Sequence, residues 1–557
     1  MANLEDLGEV ISTDVLIVGG GIGGIAAAIK AKEESPEVDV LVVDKATIGW
    51  AGKAGKGGGV LWLIAPGDDL DKFVEHHVRN IGCYLNDQEL LYSYARESYA
   101  AIEQLAEWGA KLTKDEAGKL APFKHPFVRD CSAIAIDLNM QLPIRARARK
   151  MGAKLLNKVQ VVDLLTQGDR VVGAVGFNII DGRFIIFKAK ATILANGSCC
   201  YKIMKMWSAA CGEGIAAAYR AGAEMRNAEF GNYYGLFRKA GPHARDEHRV
   251  LFNARGENIS QRYVPGWEED TFALALGMER EVNEGRGPIY ADLSQMPPPP
   301  PWLMSRPKFV SLHKHADSTL LKYGPPAAST KPEVIMGFLG ELAAIKVDHE
   351  MKTSLTGLWA IGDTSALGSA WLGGISVGRV GGQGITNAVY SALRGGPAAV
   401  RFASEAAPPE VKYAEVKRLK ENMFAPMRRD KGLLPEDVVY PIQDVVSPIK
   451  YSLRRSQDRL GEALARIEEV QQKLPELAAK DGHGLLKCHE AKSMALCAEM
   501  TFRAALMRTE SRGWHLREDY PERDDKNWLK WIIIKQKAGK MALFTEPVPI
   551  DRYKFKP

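Results

Sequence analysis

Apolar runs of strand length and stretches of helical periodicity alternate from the start of the chain. Val15–Val18 is a continuous apolar run, and Gly19, Gly20, Gly21, Gly23 and Gly24 follow it. An alanine-rich helical stretch comes next, and the largely apolar Val38–Val43 then ends on Asp44. The pattern predicts strand, tight turn, helix and second strand. Apolar spacing predicts helix from about residue 70 to about 110, closed by Gly109, and helix again over RARKMGAKLLNK from Arg147. VQVVDLL, VVGAVGFNII, a turn at Asp181–Gly182 and RFIIFKAKATILANGS predict an antiparallel meander. Residues 223–348 lose this regularity and carry the stiff run Pro297–Pro301 before Trp302. From Leu355 to Leu393, strand, glycine turn and small-residue helix return; from Pro408 helical spacing dominates up to a polar, basic tail.

The first glycines match what a nucleotide pyrophosphate requires. Gly19 permits the turn, Gly21 lets backbone approach phosphate, and Gly24 lets helix and strand pack closely. Ile22 and Gly23 complete the turn, and Asp44, 20 residues beyond Gly24, is placed to hold ribose hydroxyls, with Lys45 beside it. The following segment, KATIGWAGKAGKGGG, offers Gly52, Gly57 and Gly58 as a backbone wall and Lys53 to phosphate or ring oxygens. Ala195 and Gly197 at the end of the meander form another point of backbone approach. Gly362–Asp363 and the glycine-rich helix start with Gly374 and Ser376 add a carboxylate and a positive helix end.

Composition narrows the class. The 557 residues, 46% hydrophobic and 25% charged, are too many for one core, and a net charge of +6 gives no reason to expect nucleic acid. No apolar run reaches roughly 18 residues, and acids stand where a secretory leader has its basic start; a cytoplasmic protein without a direct membrane span is expected. The seven cysteines include no CxxC pair, so no metal site is expected, and Cys199 and Cys200 are expected as buried reduced thiols.

DVLIVGGGIGGIAAA, VDKA with its glycine loop, GLWAIGD with its glycine helix, and ESRGWHLREDYPERDDKNWLKW at residues 510–531 together resemble the succinate dehydrogenase/fumarate reductase flavoprotein superfamily. GAVGF, FKAKATILANGS and GAEM (Gly222–Met225) look most like its adenylylsulfate reductase alpha subunits. The resemblance implies an α/β architecture: a Rossmann-like FAD-binding domain at 1–222 and 353–407, an inserted α+β capping domain at 223–352 and a helical C-terminal domain at 408–557. It also implies a heteromeric electron-transfer complex with an iron–sulfur, ferredoxin-like subunit. Ala51 falls where members with covalent flavin carry a histidine, which implies non-covalent FAD. The cations that hold dicarboxylates in the family fall on Tyr234, near Thr271 and on Trp371, and the adenylylsulfate arginine falls on Leu236, two residues before Arg238.

The expected activity is FAD-dependent oxidoreduction of a small molecule other than fumarate or succinate. Tyr234 is the expected hydrogen-bond donor and Trp371 the stacking surface on the substrate side. Arg238 and His243, within the basic cluster 238–249, either handle an anion or a proton or belong to a solvated face. A stand-alone flavin dehydrogenase or reductase and a non-catalytic flavin-binding electron-transfer scaffold are the alternatives.

Overall fold

A computed structural model describes residues 3–56, 59–124, 130–137, 139–203, 209–231, 234–239, 250–265, 271–295, 331–338, 340–367 and 383–557. Its main sheet consists of β1 (Glu9–Val18), β2 (Val40–Asp44), β3 (Lys154–Asn157), β4 (Val159–Gln167), β5 (Arg170–Asn178), β6 (Phe184–Leu194) and β7 (Leu358–Ala360). The order is β3-β2-β1-β6-β5-β4, and β7 pairs with the end of β6. β3, β2, β1, β6 and β7 are parallel neighbours in turn, whereas β4, β5 and β6 form the antiparallel meander. Register places Ile17 opposite both Val42 and Ile193. Val15, Leu16 and Ile17 are fully buried, as expected of a parallel strand covered on both faces, which is why the sequence there is a continuous apolar run.

Helices α1 (Ile22–Glu34) and α2 (Gln383–Glu405) pack together behind this sheet. A side chain at Gly396 would come within 2.8 Å of the Ala27 carbonyl oxygen, so the pair approaches at backbone distance. A separate four-stranded antiparallel sheet joins Tyr234–Arg238, Glu333–Phe338, Ile289–Ala291 and Leu251–Phe252, in that order, around a second apolar cluster that includes Leu236, Leu251, Ile259 and Ile289. Helices Tyr413–Met423, Glu436–Val446, Gln457–Lys473 and Gly482–Met507 make up most of the C-terminal part. Among the described residues, no helix is long and apolar enough to cross a membrane.

Three local expectations change. The predicted helix from 70 to 110 is broken into Leu70–His76, a π-helical turn His77–Ile81 and Gln88–Glu107. Cys83 and Tyr84 adopt positive φ there, and the Asn86 side chain fills the space beside Gly82. Gly109 closes the last helix as expected, at φ +101. The helix through Arg147 stops at Lys150, where Gly152 at φ +91 turns the chain, and the remainder adds the edge strand β3. The polar tail contains a hairpin, Lys530–Lys537 with Lys540–Pro547, whose first strand also pairs with Met225–Arg226.

Candidate functional site

The turn after β1 is shaped for a phosphate. Gly19 has φ +117, and a side chain at Gly24 would lie 1.9 Å from the Gly19 carbonyl oxygen, so both positions exclude any larger residue. Gly21 caps α1 without a side-chain hydrogen bond, which leaves the first N–H groups of that helix directed outward at its positive end. Asp44 closes the turn: Oδ2 accepts from Gly20 N at 2.6 Å and Oδ1 from Ala46 N at 2.6 Å. A carboxylate with both oxygens fixed in this way still has lone pairs for ribose hydroxyls. Gly52, at φ +79, backs onto Gly21, where its side chain would meet Gly21 Cα at 3.4 Å; the second glycine segment therefore forms the opposite wall.

The end of β6 continues this surface. Among the described residues, Gly197 (φ +78) has nothing within 4 Å of where a side chain would begin and donates its N–H to Thr364 Oγ1 at 2.7 Å, while the buried Asn196 Oδ1 has no partner. Gly362 N donates to Ser391 Oγ of α2 at 2.9 Å, fixing the turn that carries Asp363. Lys53 joins these segments. Its Nζ lies 2.7 Å from Ser198 Oγ, 2.7 Å from Glu341 Oε1 and 3.0 Å from Asp363 Oδ2. Burial alone would push the ammonium pKa down, but the carboxylate charges of Asp363 and Glu341 outweigh it and raise it above its ordinary value. The Cys200 thiol is pushed up to about 11 by burial, so it stays protonated even beside Lys53.

Gly19, Gly21, Ile22, Gly23, Gly24, Asp44, Gly52, Lys53, Ala195, Gly197, Gly362 and Asp363 thus lie on five neighbouring segments at the ends of β1, β2, β6 and β7 and in the second glycine segment. The Lys45 ammonium is held elsewhere, by Glu213 and by Glu490 Oε1 at 2.6 Å, and makes a buried link to helix Gly482–Met507. Leu236 packs in the second apolar cluster. Gly57, Gly58, His243, Trp371, Gly374 and Ser376 lie outside the described residues, as do the side chains of Tyr234 and Arg238. Glu341 and Thr364 join the site without a sequence signal of their own, since only the pairing of distant segments brings them there. Cys199 and Cys200 are fully buried, and all seven cysteines are free thiols, as expected.

An uncapped helix start, side-chain-free glycines, an outward Gly197 and an orphaned acceptor at Asn196 fit a dinucleotide cofactor such as FAD. Comparison with known proteins agrees. Residues 14–258 match the FAD binding domain family, and residues 448–557 match the fumarate reductase flavoprotein C-terminal family. One of the subunits of the fumarate reductase (CoM/CoB) from Methanothermobacter marburgensis is 27% identical, over 95% of this chain and 98% of its own. The 8-methylmenaquinol:fumarate reductase flavoprotein subunit of Wolinella succinogenes is 24% identical, over 98% of this chain and 92% of its own. Among solved structures, an E. coli quinol fumarate reductase chain superposes with a TM-score of 0.84 at 18% identity, covering 99% of this chain and 98% of its own. Adenylylsulfate reductase from Archaeoglobus fulgidus does so at 0.78 and 22%, covering 98% and 97%.

Proposed function

The chain belongs to the succinate dehydrogenase/fumarate reductase flavoprotein superfamily, with FAD as its cofactor and FAD-dependent oxidoreduction as its class of activity, and on that premise we propose a more specific role. It is a flavoprotein subunit that moves electrons between a small molecule other than fumarate or succinate and an iron–sulfur protein partner in the cytoplasm. Bound FAD supplies a ring that takes up or gives back an electron pair; the protein supplies position, charge and exclusion of water.

The observation that carries the substrate assignment is the pair Tyr234 and Trp371, which stand where dicarboxylate enzymes of this superfamily carry cations. A dianionic substrate buried there would lack the positive side chains that must pair with its charges. In this role Gly19, Gly21, Gly24 and the start of α1 hold the pyrophosphate, Asp44 the ribose, and Asp363 with Lys53 the ribityl end. Tyr234 donates to substrate and Trp371 stacks on it, with Arg238 and His243 handling an anion or a proton. Residues 223–352 act as the capping domain over a cofactor domain formed by 1–222 and 353–407, and 408–557 as the helical domain. Ala51 in the glycine loop leaves FAD without a covalent tether.

The test is purification of the full chain with whatever copurifies, followed by acid precipitation and steady-state assays. FAD is expected in the supernatant, together with a copurifying protein bearing Cys-rich cluster motifs. No turnover is expected with fumarate and a reduced dye, or with succinate and an oxidised one. Turnover of either dicarboxylate overturns the substrate assignment. Sustained oxidation by air without any partner overturns the partner assignment.

A further inference from the structure

A cleft of about 560 Å³ opens on the outer side of the meander, apart from the Lys53 cluster, between β4, helix Glu213–Ala221, helix Tyr413–Met423 and helix Gly482–Met507. We infer that this cleft is a second binding site, for a small organic anion that also carries a hydroxyl or amine group. Its size lies in the range of metabolite sites, roughly 300–1,000 Å³. Leu164, Leu419 and Met423 give it an apolar lining suited to a carbon skeleton.

The charge balance of its wall favours an anion. Asp163 is already neutralised by Arg220, which donates to it at 2.6 Å and to the Val162 carbonyl at 2.7 Å. Glu213 is neutralised from behind by Lys45. His489 donates through Nε2 to the Met423 carbonyl at 3.0 Å, and burial pushes its pKa down to about 3, so it carries no charge. What remains is Lys492, which makes no hydrogen bond or ion pair with any described residue, and Arg418 at the rim, opposed by Glu415. Burial and the nearby Arg220 and Arg429 lower the Lys492 pKa, the situation an incoming anion relieves. Gln160 supplies the second element of recognition. Its Nε2 donates to the Val161 carbonyl at 2.6 Å, whereas its buried Oε1 has no partner among the described residues and requires a donor.

The probe is pyridoxal 5′-phosphate, an anion whose aldehyde condenses with a nearby amine to an imine and water; borohydride then reduces the imine to a stable secondary amine. It is added to the FAD-loaded full chain, with peptide mass spectrometry to locate the label and flavin absorbance to confirm that the fold and cofactor are intact. Lys492 is expected to label at least tenfold faster than exposed Lys431. Glycerol 3-phosphate is expected to protect it, and Arg418→Gln to slow its labelling at least fivefold. Labelling of Lys492 no faster than Lys431, indifference to glycerol 3-phosphate, or an Arg418→Gln chain that labels like the parent would each overturn the site.

Discussion

Lys53 shows how much one side chain can organise. Its ammonium ties the second glycine segment to Ser198 at the end of β6, to Glu341 and to Asp363 after β7, and Glu341 is 288 residues away in the chain. Both carboxylates are largely buried, with side-chain exposures of 3% and 14%. Removing one member of a buried ionic cluster costs about 3 kcal/mol or more, because the remaining charges lose their counter-ion without regaining water. Lys53→Met is therefore expected to lower the urea midpoint of the chain by an amount of that order, and adding Glu341→Gln to recover part of it. Equal midpoints for parent and Lys53→Met would show that the ammonium is not needed there. The glycines of this site were legible in the sequence, because a positive φ or a backbone contact restricts the residue at that position itself. Glu341 was not legible, since nothing in GFLGEL distinguishes a buried counter-charge from a surface acid.

At the scale of elements, the stretch from Glu510 to Trp531 is a clamp. Glu510 accepts from Arg508 at 2.9 Å, from Arg512 at 2.7 and 2.8 Å, and from Asp524 N at 2.9 Å. Arg508 reaches Glu229 at 2.8 Å and the carbonyls of Trp528 and Lys530 at 3.1 and 2.9 Å. The end of helix Gly482–Met507, the turn Ala228–Phe230 and the start of the C-terminal hairpin are thereby fastened at one buried point. Glu510→Gln removes the charge shared by two fully buried arginines, for an expected loss of about 3–5 kcal/mol. Limited proteolysis is expected to cut first between Arg523 and Lys537 in this variant, and a cleavage pattern identical to the parent's would show that the clamp does not hold the hairpin. The hairpin escaped sequence analysis because the short apolar run Trp531–Ile534 fits a buried strand and a buried helical turn equally, and, unlike Val15–Val18, no glycine cluster follows it directly to decide between them. The break at Gly82 escaped for a related reason: only the packing of Asn86 against it interrupts an otherwise helical pattern.

For the whole molecule, acid stability follows from two histidines sealed where segments meet. His489, between the sheet and the helical part, is pushed down to about 3 by burial, and burial with the nearby Arg455 lowers His515 well below its ordinary value. A histidine with a lowered folded pKa contributes stability that is complete above its unfolded value, about 6.5, and is lost as pH falls toward the folded value, because the unfolded chain binds the proton first. Stability is expected to decline by up to about 1.4 kcal/mol per pH unit for each such group below about pH 6. Urea midpoints at about pH 7.5 and about pH 5 check this, and His489→Gln is expected to make the difference between them smaller; an unchanged difference would mean that other groups set the acid limit. The sequence by itself determined the cofactor fold, because a parallel strand buried on both faces, a glycine turn and a terminal acid each leave a local pattern. Tertiary structure alone decided that Lys45 turns to Glu213 and Glu490 while Lys53 turns to Glu341 and Asp363, and that the last segment is a hairpin fastened through Arg508. The charge that a buried lysine faces depends on which distant elements meet it, and local spacing carries no record of that meeting.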